Sequence, residues 1–506
     1  MRSLCGLLLV LVPCAVAAQI PPSAARAVSV VTPADVQHRI ALLADDSMMG
    51  RATPSPQLEQ TARYIAGEFE RFGLKPGGEG GTYLQRYPLS SLHVDFGSST
   101  IRVAGAASAT WRVGSDALHY RGSVPAAGVS GPLVLLTGLF ADSARPDSAA
   151  LSGKVVVFAE VGGARTLQQV LGSARPAAVL SAVGWPEPAW QREAEAQVRP
   201  RMRYVAREAA SPPILLVRRA AVLALLAQAG VALDTTTARD EPFRVVPLPT
   251  LTARVQVQQR GQAQLSAPNV IGILWGSDPV LKHEFVFFTA HMDHLGTPGA
   301  GEGCVAKGAD SICNGADDDA SGTTAVLEAA QALAHLSPRP QRSLVFMTVS
   351  GEERGLWGSS YYVDHPTVPL SRVVADLNTD MIGRNWKDTI AVIGKEQSDL
   401  GATLDRVAAM HPELHMTPIG DIWPTEAFYF RSDHYNFARK GVPILFFFSG
   451  THPDYHEVSD SPDKIDAEKA ARIIKLLCYV GLDVANAPER PKWNPDSYRR
   501  IVQAAP

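Results

Sequence analysis

The sequence has few cysteines and little net charge. Five cysteines occur in 506 residues, and 47 Lys and Arg nearly balance 50 Asp and Glu, for a net charge of −3. So few cysteines cannot form a disulfide scaffold for a chain of this length, and the fold must therefore depend on an apolar core. A nearly neutral chain without runs of Lys or Arg also gives no electrostatic basis for a nucleic-acid or anionic-membrane partner.

Two common catalytic motifs are missing. The chain has no Gly-x-Ser-x-Gly elbow, which disfavours a serine hydrolase, and no His-Glu-x-x-His, which disfavours one large class of zinc peptidases. Apolar residues make up 46% of the chain and charged residues 19%. These proportions exclude wholesale disorder and collagen-like or coiled-coil architectures.

Long apolar runs are also missing, with one short exception at the start. Leu4–Val12 is apolar but, at nine residues, too short to span a bilayer. Small residues at Val16–Ala18 follow, and the pattern predicts a signal peptide over residues 1–18. A lipid anchor at Cys14 fits less well because Pro13 precedes it. We therefore expect a secreted or periplasmic protein with no membrane partner after cleavage.

Three cysteines remain after the predicted cleavage. Cys304 and Cys313 share one Gly-rich loop, where an oxidising compartment would permit a disulfide. Cys478 lies in an apolar helical pattern, which favours a buried free thiol.

From Asn269 onwards, β-branched and aromatic runs alternate with helical patterns. The predicted strands are Phe285–Ala290, Arg342–Val349, Val373–Leu377 and Val442–Phe448. Such alternation predicts an α/β fold with a mostly parallel sheet flanked by helices. In these sheets, ligands bind beyond the carboxyl ends of the strands.

The remaining sequence suggests a second, β-rich module inserted into this fold. Short apolar runs between about 85 and 250 alternate with Gly, Pro and Asp turns. The predicted divisions are the N-terminal part of the catalytic domain at 33–120, the inserted module at 121–245, the catalytic domain at 246–487 and a C-terminal tail at 488–506.

Five segments carry metal-ligating side chains beside predicted strands and helices. They are residues 291–294, 314–322, 350–353, 378–381, and 455–456 with Asp460. Each segment alone is a weak signal, since an Asp-rich loop is usually a solvated turn. Together, carboxylates converging at one sheet edge would repel each other, and divalent cations remove that repulsion. Mixed imidazole and carboxylate ligands suit zinc.

Taken together, these segments resemble one family of enzymes specifically. Residues 269–483 resemble the cocatalytic zinc aminopeptidases, a family that includes secreted bacterial leucyl aminopeptidases, glutamate carboxypeptidase II, glutaminyl cyclases and the catalytically dead transferrin receptor. The matching segments are His-Met-Asp-His-Leu-Gly at 291–296, Gly-Ala-Asp-Asp-Asp-Ala-Ser-Gly at 315–322, Ser-Gly-Glu-Glu-Arg-Gly-Leu-Trp-Gly-Ser at 350–359, Leu-Asn-Thr-Asp-Met at 377–381, Ser-Asp-His at 432–434, and His456 with 459–465. The family's N-terminal lead-in resembles residues 35–90, including 50–53. The module at 121–245 resembles an inserted protease-associated domain.

The resemblance implies two Zn²⁺ ions per chain and assigns five residues as their ligands. Asp318, three residues before Ser321, would bridge both ions. His291 and Asp380 would complete one site, and Glu353 and His456 the other.

The resemblance also implies three residues that act around the metals. Glu352 would be the general base, because neighbouring residues at a helix start diverge by about 100°, so that Glu353 binds metal while Glu352 faces the attacking water. Asp293 would accept the second imidazole N–H of His291 and fix its orientation. Tyr429 would stabilise the oxyanion, unless it is a core aromatic.

The expected function is therefore a secreted aminopeptidase that removes N-terminal residues from peptides with a free N-terminus. Trp423 and Phe428 are candidates for its apolar side-chain pocket. The alternatives are a dipeptidase, a carboxypeptidase or a glutaminyl cyclase on the same fold, or a non-catalytic receptor-like module. The sequence makes no prediction of oligomeric state.

Overall fold

A computed structural model describes residues 22–138, 147–158, 171–205, 212–231, 244–299 and 303–503. The predicted signal peptide, including Cys14, lies outside these residues. The chain divides into two compact units. Unit 1 combines the chain up to Tyr87 with the chain from Ala267 onwards, and unit 2 is Pro88–Ser266.

The described residues contain sixteen strands, numbered here in chain order. They are β1 Lys75–Pro76, β2 Leu84–Gly105, β3 Ala109–Arg112, β4 Ala117–Arg121, β5 Val129–Thr137, β6 Val155–Phe158, β7 Ala178–Val183, β8 Arg201–Tyr204, β9 Ile214–Arg218, β10 Arg244–Leu274, β11 Phe285–His291, β12 Ser343–Val349, β13 Val373–Asp380, β14 Thr389–Ile393, β15 Thr417–Ile419 and β16 Ile444–Phe448.

Three of the longer helices begin after a residue whose side chain caps the helix. The side chains of Thr32, Ser55 and Asp466 each accept a backbone N–H from the first turn of the helix that follows. The α-helices are Pro22–Val28, Pro33–Leu43, Pro56–Arg71, Ser148–Leu151, Glu187–Gln197, Arg219–Gln228, Gly322–Ala334, Trp357–Asp364, Leu400–Met410, His434–Ala438, Ala467–Asn486 and Pro495–Tyr498.

Unit 1 is built on a mostly parallel sheet. Its strand order is β15-β14-β16-β13-β11-β12, followed by the last residues of β10. β12, β11, β13 and β16 run parallel to one another. β14 pairs antiparallel with β16 and parallel with β15, and β10 pairs antiparallel with β12. The register sets His291 opposite Val349 and Asp380 opposite Phe448. The carboxyl ends of the four parallel strands therefore lie at one edge.

The central strand of unit 1 is buried on both faces, because helices cover both. Phe287 of β11 packs against the rings of Tyr362 and Phe437, which belong to two short helices. Its neighbour Phe288 points the other way, where its ring lies so close to Gly481 that a Cβ there would be 2.2 Å from it. The predicted α/β fold, with helices flanking a mostly parallel sheet, is confirmed.

Unit 2 contains a second group of parallel strands. β5, β6, β7 and β9 run parallel, β4 pairs antiparallel with β9, and the first part of β10 pairs antiparallel with β5. Its core includes Ile101, Leu135, Val157 and Leu215. The compact unit begins at Pro88 and ends at Ser266, whereas the sequence placed the inserted module at 121–245. Its identity as a protease-associated domain stays a prediction.

The structure decides the cysteine pairing that the sequence left open. Cys304 and Cys313 form a disulfide, and Cys478 is a buried free thiol. None of the helices in the described ranges combines the length and the apolar character that a bilayer crossing requires.

Candidate metal centre

The candidate ligands lie at the carboxyl edge of the unit 1 sheet. His291 is the last residue of β11 and Asp380 the last residue of β13. Asp318 lies in the turn before helix Gly322–Ala334. Glu353 follows β12, and His456 follows β16. The structure thus brings all five predicted ligands together, although their roles stay predictions.

One group of possible ligands consists of His291, Asp318 and Asp380. The Nε2 atom of His291 lies 3.2 Å from Oδ1 of Asp318 and 3.5 Å from Oδ1 of Asp380. All three residues are buried. Ser432 donates to the other oxygen of Asp380 at 3.0 Å, which leaves Oδ1 facing the histidine.

A second group forms around the other oxygen of Asp318. The Nε2 atom of His456 lies 3.3 Å from Oδ2 of Asp318 and 3.3 Å from Oε2 of Glu353. Asp318 therefore faces both groups, one oxygen to each, which is the arrangement a bridging ligand needs.

His294 also reaches the second group, and the sequence assigned it no role. Its Nδ1 atom lies 2.7 Å from Oε1 of Glu353 and 3.8 Å from Oδ2 of Asp318. Its ring is fully buried, and neither ring nitrogen has an aligned hydrogen-bond partner in the described structure. The signal that could have found it is its place in the segment His-Met-Asp-His, three residues after His291.

The distances fit zinc better through His456 than through His294. Two ligands that are each about 2.0–2.1 Å from a tetrahedral zinc lie about 3.3 Å apart. The contacts of His291 and His456 with the carboxylates, at 3.2–3.5 Å, match this spacing. Those of His294, at 2.7 and 3.8 Å, do not. The donor set of imidazoles and carboxylates therefore suits zinc at both positions.

The neighbours of Asp318 in the Asp-rich turn do not face the pocket. Asp319 accepts backbone N–H groups from His291 at 3.2 Å and Gly322 at 2.7 Å. Asp317 accepts the N–H of Gly383 at 2.6 Å through Oδ1. The other oxygen of Asp317 lies 3.2 Å from Nε2 of His452, outside both ligand groups. Asp318 is therefore the aspartate of this turn that faces the candidate ligands.

Asp460 and Asp293 hold two turns of the site in place, the turn of Asp318 and the turn at Gly351. Asp460 accepts the backbone N–H groups of Asp317 and Asp318 at 3.0 and 3.1 Å. The carboxylate of Asp293 accepts the hydroxyl of Thr53 at 2.8 Å and the N–H of Gly351 at 2.7 Å.

The position of Asp293 changes its expected role. Nδ1 of His291 lies 3.1 Å from the backbone carbonyl of Asp293 but 3.8 Å from its carboxylate. The carbonyl, and not the carboxylate, is therefore the acceptor that orients the imidazole. The carboxylate instead holds the turn that leads into Glu352, whose N–H lies 3.4 Å from Oδ1.

The two adjacent glutamates diverge for a different reason from the one expected. The helix after β12 begins at Trp357, so Glu352 and Glu353 lie in a turn and not at a helix start. The tight backbone at Gly351, with a φ of +74°, allows this turn directly after the strand. Glu353 faces His456, and Glu352 lines the cavity described below.

Charge at the site is unbalanced towards the acids. Burial raises the pKa of Glu352, and the carboxylates of Glu353, Asp433 and Asp380 raise it further. Burial acts to lower the pKa of His456, but contacts with Asp318 and Glu353 raise it to about 10. Both shifts reflect the closely spaced acids of the site. A divalent cation bound among these acids would offset their charge.

A cavity opens beside these groups. Its described lining residues include both carboxylates and apolar rings. They are Asp318, Glu352, Asp380, Met381, Phe428, Arg431, Ser432, Phe446, Phe448, Thr451, Tyr455 and His456.

The phenol in this cavity belongs to Tyr455 and not to Tyr429. Tyr429 is 7% exposed and packs in the apolar core with its hydroxyl unpartnered among the described residues. Burial raises its pKa, and Arg500 and Tyr435 are its charged or polar neighbours. The ring of Tyr455 instead stacks on His456 at 3.8 Å, and after burial the site carboxylates are what raise its pKa.

The order and geometry of these groups agree with a sequence comparison. Residues 269–481 match the sequence profile of peptidase family M28. This stretch of the chain is similar to peptidase family M28. All five predicted ligands lie inside the M28 match, whereas Thr53 and the rest of the N-terminal segment lie outside it.

Individual relatives match over similar regions. Aminopeptidase YwaD of Bacillus subtilis is 27% identical over 241 residues, which cover 45% of this chain and 47% of that protein. A probable leucine aminopeptidase of Arthroderma benhamiae is 28% identical over 276 residues, 51% of this chain and 74% of that protein. A probable zinc metalloprotease of Pyrenophora tritici-repentis is 25% identical over 289 residues, 48% and 58% respectively. This chain thus spans about half the length of the Bacillus protein that it matches.

Proposed function

We propose that the protein is a zinc-dependent aminopeptidase that removes N-terminal residues from peptides. The observation that carries this proposal is the pair of ligand groups that share Asp318 beside a cavity with a free carboxylate, Glu352. The M28 match and the aminopeptidase and zinc metalloprotease names of the relatives support it.

In this proposal the chain holds two zinc ions. His291 and Asp380 would hold one, Glu353 and His456 would hold the other, and Asp318 would be shared between them. The chemistry that zinc would supply there is activation of a water and polarisation of the scissile carbonyl.

Glu352 supplies the general base. Its carboxylate lines the cavity but belongs to neither ligand group, so it is free to accept a proton at its carboxylate oxygens. It then passes that proton to the leaving amine, a shuttle that contributes about 10²–10⁴-fold to the rate. Tyr455, rather than Tyr429, donates its phenolic hydroxyl to the oxyanion.

The cavity supports recognition of a free N-terminus with an apolar side chain. Asp318, Glu352 and Asp380 give one wall a negative charge that favours a cationic amine. Phe428 also lines the cavity, and the ring of Trp423 packs edge-on against it at 5.6 Å. Trp423 thus supports the side-chain pocket, and Phe428 forms its surface.

Metal analysis combined with a substrate panel tests the proposal. We expect two zinc ions per chain and hydrolysis of aminoacyl anilides but not of N-blocked peptides. The Glu352→Gln variant keeps both zinc ions and loses turnover by about 10²–10⁴-fold, whereas Glu353→Gln, the adjacent control, loses zinc. A Glu352→Gln variant with normal turnover would overturn the assignment of the base.

The same panel separates the alternatives. Cleavage of N-blocked substrates identifies a carboxypeptidase, and cleavage restricted to dipeptides identifies a dipeptidase. One zinc per chain with ring closure of N-terminal glutamine identifies a glutaminyl cyclase. A metal-free protein that is inactive on every substrate would indicate a receptor-like module.

The location of the protein and the identity of unit 2 belong to the same proposal. We propose that the chain is exported, with residues 1–18 as its signal peptide. The Cys304–Cys313 disulfide supports this, because such bonds persist in oxidising compartments. Unit 2, with its own core between Pro88 and Ser266, is proposed to be a protease-associated domain. Mass spectrometry of the exported protein should find Gln19 as its first residue.

A further inference from the structure

A short segment near the N-terminus passes directly behind the metal centre, although it lies outside the M28 match. In this segment Met49, Gly50 and Arg51 all have positive φ angles of 47–65°. Such angles are unfavourable for Met and Arg, and they persist only where the surroundings enforce them. The surroundings here are two loops of the metal centre. A Cβ at Gly50 would lie 2.2 Å from the carbonyl of Cys313 and 2.8 Å from Gly296, so only glycine fits between them.

Arg51 connects the two loops that carry His291 and Asp318. Its guanidinium is 1% exposed and donates four hydrogen bonds, all to backbone carbonyls. Nε donates to Met292 at 2.9 Å, in the loop of His291. Nη1 and Nη2 donate to Asn314 at 2.7 Å and Gly315 at 2.9 Å, in the turn of Asp318.

The fourth bond anchors this connection to the N-terminal helix. Nη1 of Arg51 also donates to the carbonyl of Leu43 at 2.6 Å, at the end of helix Pro33–Leu43. A fully buried guanidinium with no carboxylate among its hydrogen-bond partners is unusual, because burial of a charge costs free energy unless it is compensated. The compensation comes from the nearby acids Asp293, Asp318, Asp319 and Asp460.

Thr53 reaches a third loop, the one that carries the proposed base. Its hydroxyl donates to Oδ2 of Asp293 at 2.8 Å and accepts the N–H of Gly351 at 3.1 Å. Residues 50–53 thus contact the loops of His291, Asp318 and Glu352 at the same time.

We propose that residues 50–53 are a structural part of the metal centre, with Arg51 as the positioning residue that sets the distance between the His291 and Asp318 loops. The inference rests on the proposed metal site, but it concerns geometry that exists before a cation binds. Arg51 acts through its planar fork, which reaches Met292 on one side and Asn314 and Gly315 on the other. A lysine retains the charge but lacks the fork.

Two explanations of the role of Arg51, its positive charge and the planar geometry of its guanidinium, predict different zinc affinities for its variants. The inference is therefore testable. If only the positive charge mattered, Arg51→Lys would match the wild type, and Arg51→Met would bind cations at least as tightly, since a nearby repelling charge is gone. If Arg51 sets loop geometry, both variants bind zinc more weakly. Partners that orient ligands without touching the metal change affinity by about 10–100-fold, and we expect Arg51→Lys to fall in this range.

The experiment measures zinc affinity by competition with a chelator, and amide hydrogen exchange in the metal-stripped protein. Arg342→Lys is the matched control, because Arg342 is also 1% exposed and donates to backbone carbonyls, of Val484 and Ala487, remote from the metal centre. We expect Arg51→Lys to speed exchange in peptides covering 291–296 and 313–319, to lower kcat at saturating zinc and to leave KM unchanged. Arg342→Lys should change none of these.

Each outcome has a defined meaning. Wild-type zinc affinity and wild-type exchange in Arg51→Lys would overturn the inference. If the wild type itself binds no zinc, the proposed function fails, and the exchange comparison in the metal-stripped proteins still decides the inference. If Arg51→Lys does not fold, Thr53→Val takes its place, with Thr53→Ser as the conservative rescue. Faster exchange at 351–352 in Thr53→Val, restored in Thr53→Ser, supports the inference, and its absence overturns it.

Discussion

Three consecutive aspartates in one turn have three different environments. Both oxygens of Asp319 accept backbone N–H groups. Asp317 accepts one through Oδ1 and turns Oδ2 to His452, whereas Asp318 presents its two oxygens to His291 and His456. A run of like charges is therefore tolerated because only one member faces the site. The sequence selected Asp318 through a family resemblance. Nothing in the residue types alone distinguishes the three, since the difference lies in which backbone groups surround each side chain.

The assignment of the oxyanion donor to Tyr455, and not to Tyr429, can be tested with single substitutions. Tyr455→Phe should lower kcat by about 10²-fold, the cost of losing one oxyanion donor, and leave zinc content unchanged. Tyr429→Phe is the matched control, because it removes a hydroxyl that has no partner among the described residues, and its kcat should stay near the wild-type value. Steady-state kinetics on one aminoacyl anilide decides between them. A larger loss in Tyr429→Phe would contradict the placement of the phenol.

At the scale of elements, periodicity predicted the strands that bear the site. The structure has Phe285–His291, Ser343–Val349 and Val373–Asp380, close to the predicted bounds, because buried parallel strands are continuous apolar runs. The loops were less predictable. The sequence predicted a helix start at Glu352, because acidic residues favour that position. In the structure the positive φ of Gly351 allows a turn there, and the helix begins only at Trp357.

Long-range pairing explains what else the sequence could not supply. β10 runs from Arg244 to Leu274 and contributes residues to both units, so the boundary between them falls inside one continuous strand. The contacts of Arg51 join residues more than 240 positions apart. His294 likewise gains its place near Glu353 only through folding. Such contacts have no signature in spacing or composition.

The loop closed by the Cys304–Cys313 disulfide gives a test at the same scale. Replacing both cysteines by alanine should lower the free energy of unfolding of the metal-free protein by up to about 3 kcal/mol, since the bond restricts a short loop in the unfolded chain. Zinc content should stay normal, because the turn of Asp318 has independent anchors in Arg51 and Asp460. Urea denaturation measures the first expectation and metal analysis the second.

Cys478→Ala is the control for that experiment. It removes a buried sulfur without opening a loop, so it reports the cost of a cavity alone. A double variant no less stable than this control would contradict the entropic role of the disulfide.

For the whole molecule, the two units should respond differently to metal. Every candidate ligand belongs to unit 1, whereas unit 2 has a separate core. Calorimetry of the full chain should resolve a transition that chelation lowers and another that it leaves in place. Zinc at 100 times its dissociation constant stabilises the unit that binds it by about 2.7 kcal/mol. A single transition, or equal shifts of two, would contradict the independence of the units.

The bridging position proposed for Asp318 has a consequence for the order in which its two ligand groups are made. A nascent chain that has emerged as far as residue 380 holds His291, Asp318 and Asp380, but the imidazole of His456 is still to be synthesised. The proposed second cation position therefore cannot be completed until residue 456 has joined the chain, whereas every ligand proposed for the first is already present.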